Sequence, residues 1–471
     1  MRSTASRTTT AATSRGGPTD PSHDADLRRG VLRTDVSRPV AGLLVGIFLT
    51  AIATVPIAQV ITDKRNDEQS VLPDLFARWP TQETIKQFEE DLEKASAPRE
   101  WVRPRLQLAF TRVGGFGNTK VVVGRDGWLF YQPGVAAVGG PGLLNDAILS
   151  SRAKAAGDAG DAALFPDPRP AILDFRAYLA SRGIALVLFP VPDKAALQPA
   201  ELRGPRAHDS DGAVGMNPDH ARLSRELAAA GVRVFDATPA RLDHGAPPRF
   251  LRQDTHWTPA WMEEVAGDLA RVVRESAPAG LTAAPRVWTT TTKSVSRVGD
   301  LVDMLGLPTG QSLFQPQEVS IHEVRKPDGA LFEPEAAGEV LLLGDSFSNV
   351  FTLGQMGWGE AAGLAPHLAR ALGCAVDVIA QNDAGAHATR QLLWNELTAG
   401  AAAAEGDQGQ GGPAGGDAAE GARPRAGDRL SGKKVVVWEF ASRELAVGNW
   451  KPLIWPRRGG DAPAEGRLPA P

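Results

Sequence analysis

Two short runs in the 471-residue chain carry side chains able to do nucleophilic chemistry together. In Leu341-Leu342-Leu343-Gly344-Asp345-Ser346-Phe347-Ser348-Asn349 an apolar strand ends in Gly-Asp-Ser. Beyond the carboxyl end of such a strand, in an open α/β sheet, a Ser hydroxyl projects into the crevice where ligands bind. Backbone N–H groups of the following turn are then available to an oxyanion. A hydroxyl is a weak nucleophile without a neighbouring base, and taken alone Ser346 reads equally as the cap of the next helix. The base is offered by Asp254-Thr255-His256-Trp257-Thr258-Pro259. Residues two apart in an extended segment point to the same side. The Asp254 carboxylate can therefore hold one imidazole nitrogen of His256 and fix its tautomer, leaving the other nitrogen for the nucleophile. An Asp-x-His pair could also be half of a metal site, but no third or fourth ligand of suitable spacing stands out. Neither a metal nor a cofactor is expected.

The elements that must position these residues read as α/β. Continuous apolar strands are expected at Ile184–Pro190, Val232–Phe235, Val340–Leu343, Ala375–Ala380 and Lys434–Trp438, with helices at Ala171–Arg182, His220–Ala230 and Thr258–Ser276 between them. Strands without polar alternation, separated by helices, imply a mainly parallel sheet covered on both faces. Lys120–Val123 and Trp128–Tyr131 flank the turn signal Arg125-Asp126-Gly127. Trp128 and Tyr131 there could stack on sugar rings, but packing accounts for them better.

Val40 to Ile61 carries no charge, and as a helix it reaches about 30 Å, enough for a hydrocarbon core. The first 38 residues hold seven Arg and four Asp, a balance that keeps this arm cytoplasmic and exports the chain beyond the apolar run. The expected organisation is a disordered cytoplasmic arm (1–38), a transmembrane signal anchor (39–61), a helical lead-in (62–119), a catalytic domain (120–456) and a disordered tail (457–471). Ile85, Phe88 and Leu92 recur at helical spacing in the lead-in. Within the catalytic domain, 398–428 is nearly all Ala, Gly, acidic residues, Gln, Pro and Arg, and is expected to be a disordered insertion. A net charge of -4 gives no basic field for nucleic acid. The single cysteine, Cys374, sits in an apolar stretch and excludes an internal disulfide.

In their order along the chain, Val123–Tyr131, Asp254-x-His256 and Gly344-Asp345-Ser346 resemble the AlgJ/AlgX alginate O-acetyltransferase family. Pro190-Val191-Pro192-Asp193-Lys194 and Val437-Trp438-Glu439-Phe440-Ala441-Ser442-Arg443-Glu444-Leu445 extend the resemblance, which spans about residues 80 to 456. It implies an SGNH hydrolase-like three-layer domain in which the Asp-x-His pair precedes the nucleophile, preceded here by one transmembrane helix. The layout is closer to the AlgJ branch, since no carbohydrate-binding module is expected after the catalytic domain. By resemblance, Ser346, His256 and Asp254 form the triad. Asn382 is similar to the oxyanion Asn of SGNH hydrolases, and Trp257 and Arg443 are further candidates for oxyanion or substrate contacts. The implied activity is O-acetyl transfer through an acyl-serine to hydroxyls of an exported polysaccharide. A multi-spanning membrane O-acyltransferase would supply the acetyl groups, and the domain would work on the periplasmic, extracytoplasmic side of the inner membrane. An exported carbohydrate esterase using the same triad, or a non-catalytic glycan-binding scaffold of an export complex, remain open from the residues.

Overall fold

The computed structural model describes residues 37–66, 79, 81–95, 97–158, 163–203, 215–243, 246–382, 385–406 and 428–456. Most of the N-terminal arm and the C-terminal tail expected to be disordered lie outside them. The chain divides into two units, Met1–Arg103 and Pro104–Pro471. The first contains a 29-residue helix, Arg38–Asn66, and the helix Gln82–Ala95. Among the described residues no helix is long and apolar enough to cross a membrane. The side chains of 51–56 and 58, inside the charge-free run, are outside the described residues.

Among its described residues the second unit contains nine strands: β1 (Val121–Val123), β2 (Leu129–Tyr131), β3 (Ala185–Val191), β4 (Arg233–Val234), β5 (Thr289–Arg297), β6 (Gln317–Arg325), β7 (Val340–Gly344), β8 (Val376–Ala380) and β9 (Val435–Ala441). Five form one sheet in the order β4-β3-β9-β7-β8, and every pair in it is parallel. The last of these strands in the chain thus lies at the centre. Its register sets Leu343 of β7 beside Trp438, and Phe189 of β3 beside Glu439.

The period of two in each strand splits the apolar side chains between two cores. Val187, Phe189, Leu342, Val435 and Val437 pack on one face with the helices Pro259–Ser276 and Leu364–Leu372. Leu186, Leu188, Leu341, Leu343, Val436 and Trp438 pack on the other with Pro168–Ser181, His220–Ala229 and Gly385–Gly406. Both faces are covered, which is why these strands carry no polar alternation.

β1 and β2 form a small antiparallel hairpin about the turn at Arg125-Asp126-Gly127. Two features depart from the sequence expectation. β5 and β6 form a separate antiparallel ribbon. The helix Gly385–Gly406 also runs into the segment expected to be disordered from Thr398, because Ala, with the highest intrinsic helix propensity, dominates 399–404. Residues 407–427 lie outside the described residues.

Candidate active site

The Asp254–His256 pair sits at the tip of a tight loop rather than in an extended strand. Phe250 bridges Trp257, Leu251 N–H donates to His256 O at 3.0 Å, and Thr258 N–H donates to Arg249 O at 2.8 Å. Asp254 Oδ1 accepts the backbone N–H of His256 at 3.1 Å, the turn that Asp side chains make two residues on. The same oxygen lies 2.6 Å from His256 Nδ1. The two side chains meet because of this turn, not because of strand alternation. Asp254 Oδ2 accepts from Trp358 Nε1 at 2.9 Å and from the backbone N–H of Asp300 at 3.1 Å. With Nδ1 bound to the carboxylate, the imidazole presents Nε2 as its basic nitrogen; Nε2 is buried and has no hydrogen-bond partner among the described residues.

Electrostatics follow from burial. Burial alone would raise the Asp254 pKa, but the hydrogen bond and charge of His256, with the Asp300 N–H and Trp358, hold it well below the usual carboxylate range. Burial alone would lower that of His256, but Asp254, helped by Asp300 and Asp345, raises it. Asp300, on the helix Asp300–Leu305, accepts the Thr255 N–H at 2.7 Å and lies 4.0 Å from His256 Nδ1. Burial, then the Asp254 charge, push its pKa up to about 6. One ligand atom each from Asp254, His256 and Asp300 fall within 4.8 Å of one another, a spacing a metal ion could accept. Both Asp254 oxygens and one Asp300 oxygen are already engaged by donors, so this set is arranged to orient the imidazole.

Lys194 ties the loop down. Its Nζ donates to the carbonyls of Leu129 (2.6 Å), Leu251 (2.7 Å), Arg252 (3.0 Å) and Asp254 (3.1 Å). It also lies 5.0 Å from the Trp128 ring and 5.1 Å from that of Phe130. Burial pulls its pKa down to about 7, against the charges of Asp254, Asp300 and Glu201, which favour the ammonium form. The aromatic turn singled out in the sequence therefore packs around this cation.

Ser346 opens the short helix Ser346–Asn349 directly after β7, with Asp345 as its cap through the Phe347 N–H at 2.8 Å. The Phe347 ring stands 4.9 Å from the His256 imidazole, so the nucleophile turn and the base are in contact through the residue next to Ser346. Among the described residues no hydrogen bond joins Ser346 to His256. Such bonds are often loose before substrate binds.

The other sequence candidates separate. Arg443 lies over the rings of Tyr131 (5.0 Å) and Phe347 (6.0 Å), with its Nη1 3.6 Å from Asp193 Oδ1. Burial opposes its charge, but Asp193, Asp345 and Glu444 hold its pKa above the ordinary value. With Tyr131, Thr255 and Phe347 it lines a cavity of ≈ 10 Å³, about one water's worth. Asn382 follows β8; its amide donates to Met356 Sδ at 3.1 Å and its carbonyl accepts from Asn349 at 2.9 Å. Trp257 is fully buried against Phe189, Trp261 and Phe347, and its Nε1 has no partner among the described residues. Trp358 and Asp300 were not singled out from the sequence. Only the Gly-Asp that opens a helix at Asp300 was a usable signal.

Residues 121–399 match the family described as the SGNH hydrolase-like domain of acetyltransferase AlgX. The chain is 31% identical over 239 residues to the probable alginate O-acetylase AlgJ of Pseudomonas fluorescens, covering 49% of this chain and 54% of that one. It is 28% identical over 247 residues to the protein of the same name from Azotobacter vinelandii, covering 50% and 56%. The chain thus spans about half the length of the curated relatives it matches. Among solved structures it is similar to the O-acetyltransferase domain of Pseudomonas putida AlgJ, with 22% identity, a TM-score of 0.44, and coverage of 70% of this chain and 93% of that one.

Proposed function

The chain belongs to the AlgX family of SGNH hydrolase-like acetyltransferase domains, and from that footing we propose that it is an O-acetyltransferase modifying hydroxyls of an exported polysaccharide through an acyl-serine. The observation that carries this reading is the buried Asp254–His256 pair, 2.6 Å apart, whose Nε2 has no partner among the described residues and whose ring lies 4.9 Å from that of Phe347, the residue next to Ser346. His256 takes the Ser346 proton as Oγ attacks the donor's acetyl carbon, and returns it to the leaving group. Asp254 stabilises the imidazolium formed in between. A sugar hydroxyl, deprotonated by His256, then attacks the acyl-serine and regenerates Ser346. The Ser346 N–H and the Asn382 amide, which among the described residues meets a weak sulfur acceptor in Met356, are the donors for the oxyanion. Arg443 supplies positive charge at the cavity wall.

The names of the relatives support alginate as the first acceptor to test. A multi-spanning membrane O-acyltransferase is the proposed acetyl supplier. The helix Arg38–Asn66 is the proposed anchor, with the site on the extracytoplasmic side. Leu43, Leu44, Ile47, Phe48 and Leu49 are all exposed along it.

The test is to incubate the protein with an activated acetyl ester and alginate oligosaccharide and weigh the sugar by mass spectrometry. Acetylated sugar is expected from the native protein and none from Ser346→Ala. Acetate release without acetylated sugar would identify an esterase, and transfer by Ser346→Ala would remove the nucleophile.

A further inference from the structure

Glu439, on β9, has no part in the chemistry above, yet it is wired to the nucleophile turn. Glu439 is 1% exposed. Its Oε2 accepts the backbone N–H of Asp345 at 3.1 Å and the hydroxyl of Ser348 at 2.5 Å. Two residues on, the Ala441 N–H donates to Asp345 Oδ2 at 2.8 Å. β9 therefore holds the residue before Ser346 by both its backbone and its side chain, and the residue two after it by its hydroxyl. Gly344 makes room for this: a Cβ there would stand 2.3 Å from Ser348 Oγ and 3.0 Å from Glu439 Oε2.

A carboxylate here would face the carboxylate of Asp345 in a dry interior, and Glu439 Oε1 has no donor among the described residues. A neutral acid fits the same place, because its proton can go to Asp345. Burial first, then the Asp345 charge, raise the Glu439 pKa well above the usual range, in agreement with that geometry.

We propose that Glu439 is a positioning residue for the nucleophile: it clamps Asp345 and Ser348 and so sets the direction in which Ser346 Oγ points toward His256. This rests on the acyl-serine reading above. Glu439 does not touch substrate and transfers no proton in turnover.

The experiment compares Glu439→Gln, Glu439→Leu and Ser348→Ala with native protein. It measures Ser346 acetylation by an activated acetyl ester, detected as the acyl-enzyme mass, together with kcat, KM and the thermal midpoint. Glutamine keeps an acceptor for Asp345 N–H and Ser348 and a donor toward Asp345, so it holds kcat within about threefold, one hydrogen bond's worth of uncertainty. Leucine fills the space but leaves Asp345 N–H and Ser348 without their acceptor, and kcat falls about 30-fold or more with KM little changed. Ser348→Ala, which leaves Glu439 in place, lowers kcat about fivefold. If Glu439→Leu fails to fold, Ser348→Ala and Glu439→Gln decide. Leucine or Ser348→Ala variants acylating as fast as native protein overturn the proposal. So does a glutamine variant that folds but is as slow as leucine, which would assign Glu439 proton transfer. Native protein that never acylates Ser346 overturns the acyl-serine reading itself, and the role of Glu439 with it.

Discussion

Replacing Asp254 by Asn isolates what this carboxylate does for His256. Four donors converge on it: the backbone N–H and Nδ1 of His256 on Oδ1, Trp358 Nε1 and the Asp300 N–H on Oδ2. An amide has one acceptor oxygen and one donor NH₂, so it cannot serve both pairs. With its oxygen in the place of Oδ2 it keeps Trp358 and Asp300 and opposes one fixed donor, the His256 backbone N–H. Nδ1 relieves its own conflict by losing its proton, and the ring becomes protonated at Nε2. With its oxygen in the place of Oδ1, the amide keeps His256 but opposes two fixed donors, Trp358 and Asp300. Each unmade buried hydrogen bond costs about 1–3 kcal/mol, so the first orientation dominates by roughly 5- to 150-fold. That orientation puts a proton where His256 must accept one. The tautomer error thus accounts for about 5- to 150-fold, and the lost carboxylate charge, which stabilised the imidazolium, adds to it; the corresponding change in a serine-protease triad lowers kcat about 10⁴-fold in all, and a total loss of about 10³- to 10⁴-fold is expected here. The diagnostic is a second change. Trp358→Phe removes one of the two conflicts from the productive orientation, so Asp254→Asn with Trp358→Phe should be about tenfold faster than Asp254→Asn alone. Trp358→Phe by itself should slow the native protein. The assay is kcat/KM on an activated acetyl ester, with ¹⁵N shifts of the His256 ring reporting the tautomer. A double variant no faster than Asp254→Asn, or Asp254→Asn within tenfold of native, would refute the reasoning.

Two further outcomes are expected at the same site. His256 must be neutral to act as base, so kcat/KM rises with pH through its raised pKa; Asp300, 4.0 Å from Nδ1, contributes to that rise, and Asp300→Asn should move the acid limb to lower pH. A limb that stays or moves upward would show that Asp300 does not act on the imidazole. Lys194→Met keeps the apolar stem but leaves four buried carbonyls without their donor; unfolding in urea should show a loss of about 2–4 kcal/mol, and an unchanged midpoint would mean the cation does not hold the loop.

What could be read from the chain alone tracks the range of the interaction that decides it. β3, β7 and β9 are uninterrupted apolar runs because both faces of the sheet are covered, so each announces itself locally. β5 is Thr-Thr-Thr-Thr-Lys-Ser-Val-Ser-Arg and mostly exposed; its strand form comes from pairing with β6, which no local pattern in it records. The site divides in the same way. Asp254 and His256 are two residues apart and legible as a pair, even though a side-chain turn, not an extended strand, joins them. Asp300 and Trp358 are unremarkable in sequence, and Glu439 stands in a run the resemblance covers but has no local partner to give it a role, since their partners lie 46, 104 and 94 residues away along the chain. The sheet order explains why such distant groups matter. β9 comes last among the strands but lies between β3, which leads into Asp193 and Lys194, and β7, which leads into Ser346. Lys194 holds the loop of the base, and Glu439 and Ala441 hold the turn of the nucleophile. The spacing between base and nucleophile is therefore set by the strand inserted between their two supports, and residues on that strand can govern catalysis without touching substrate.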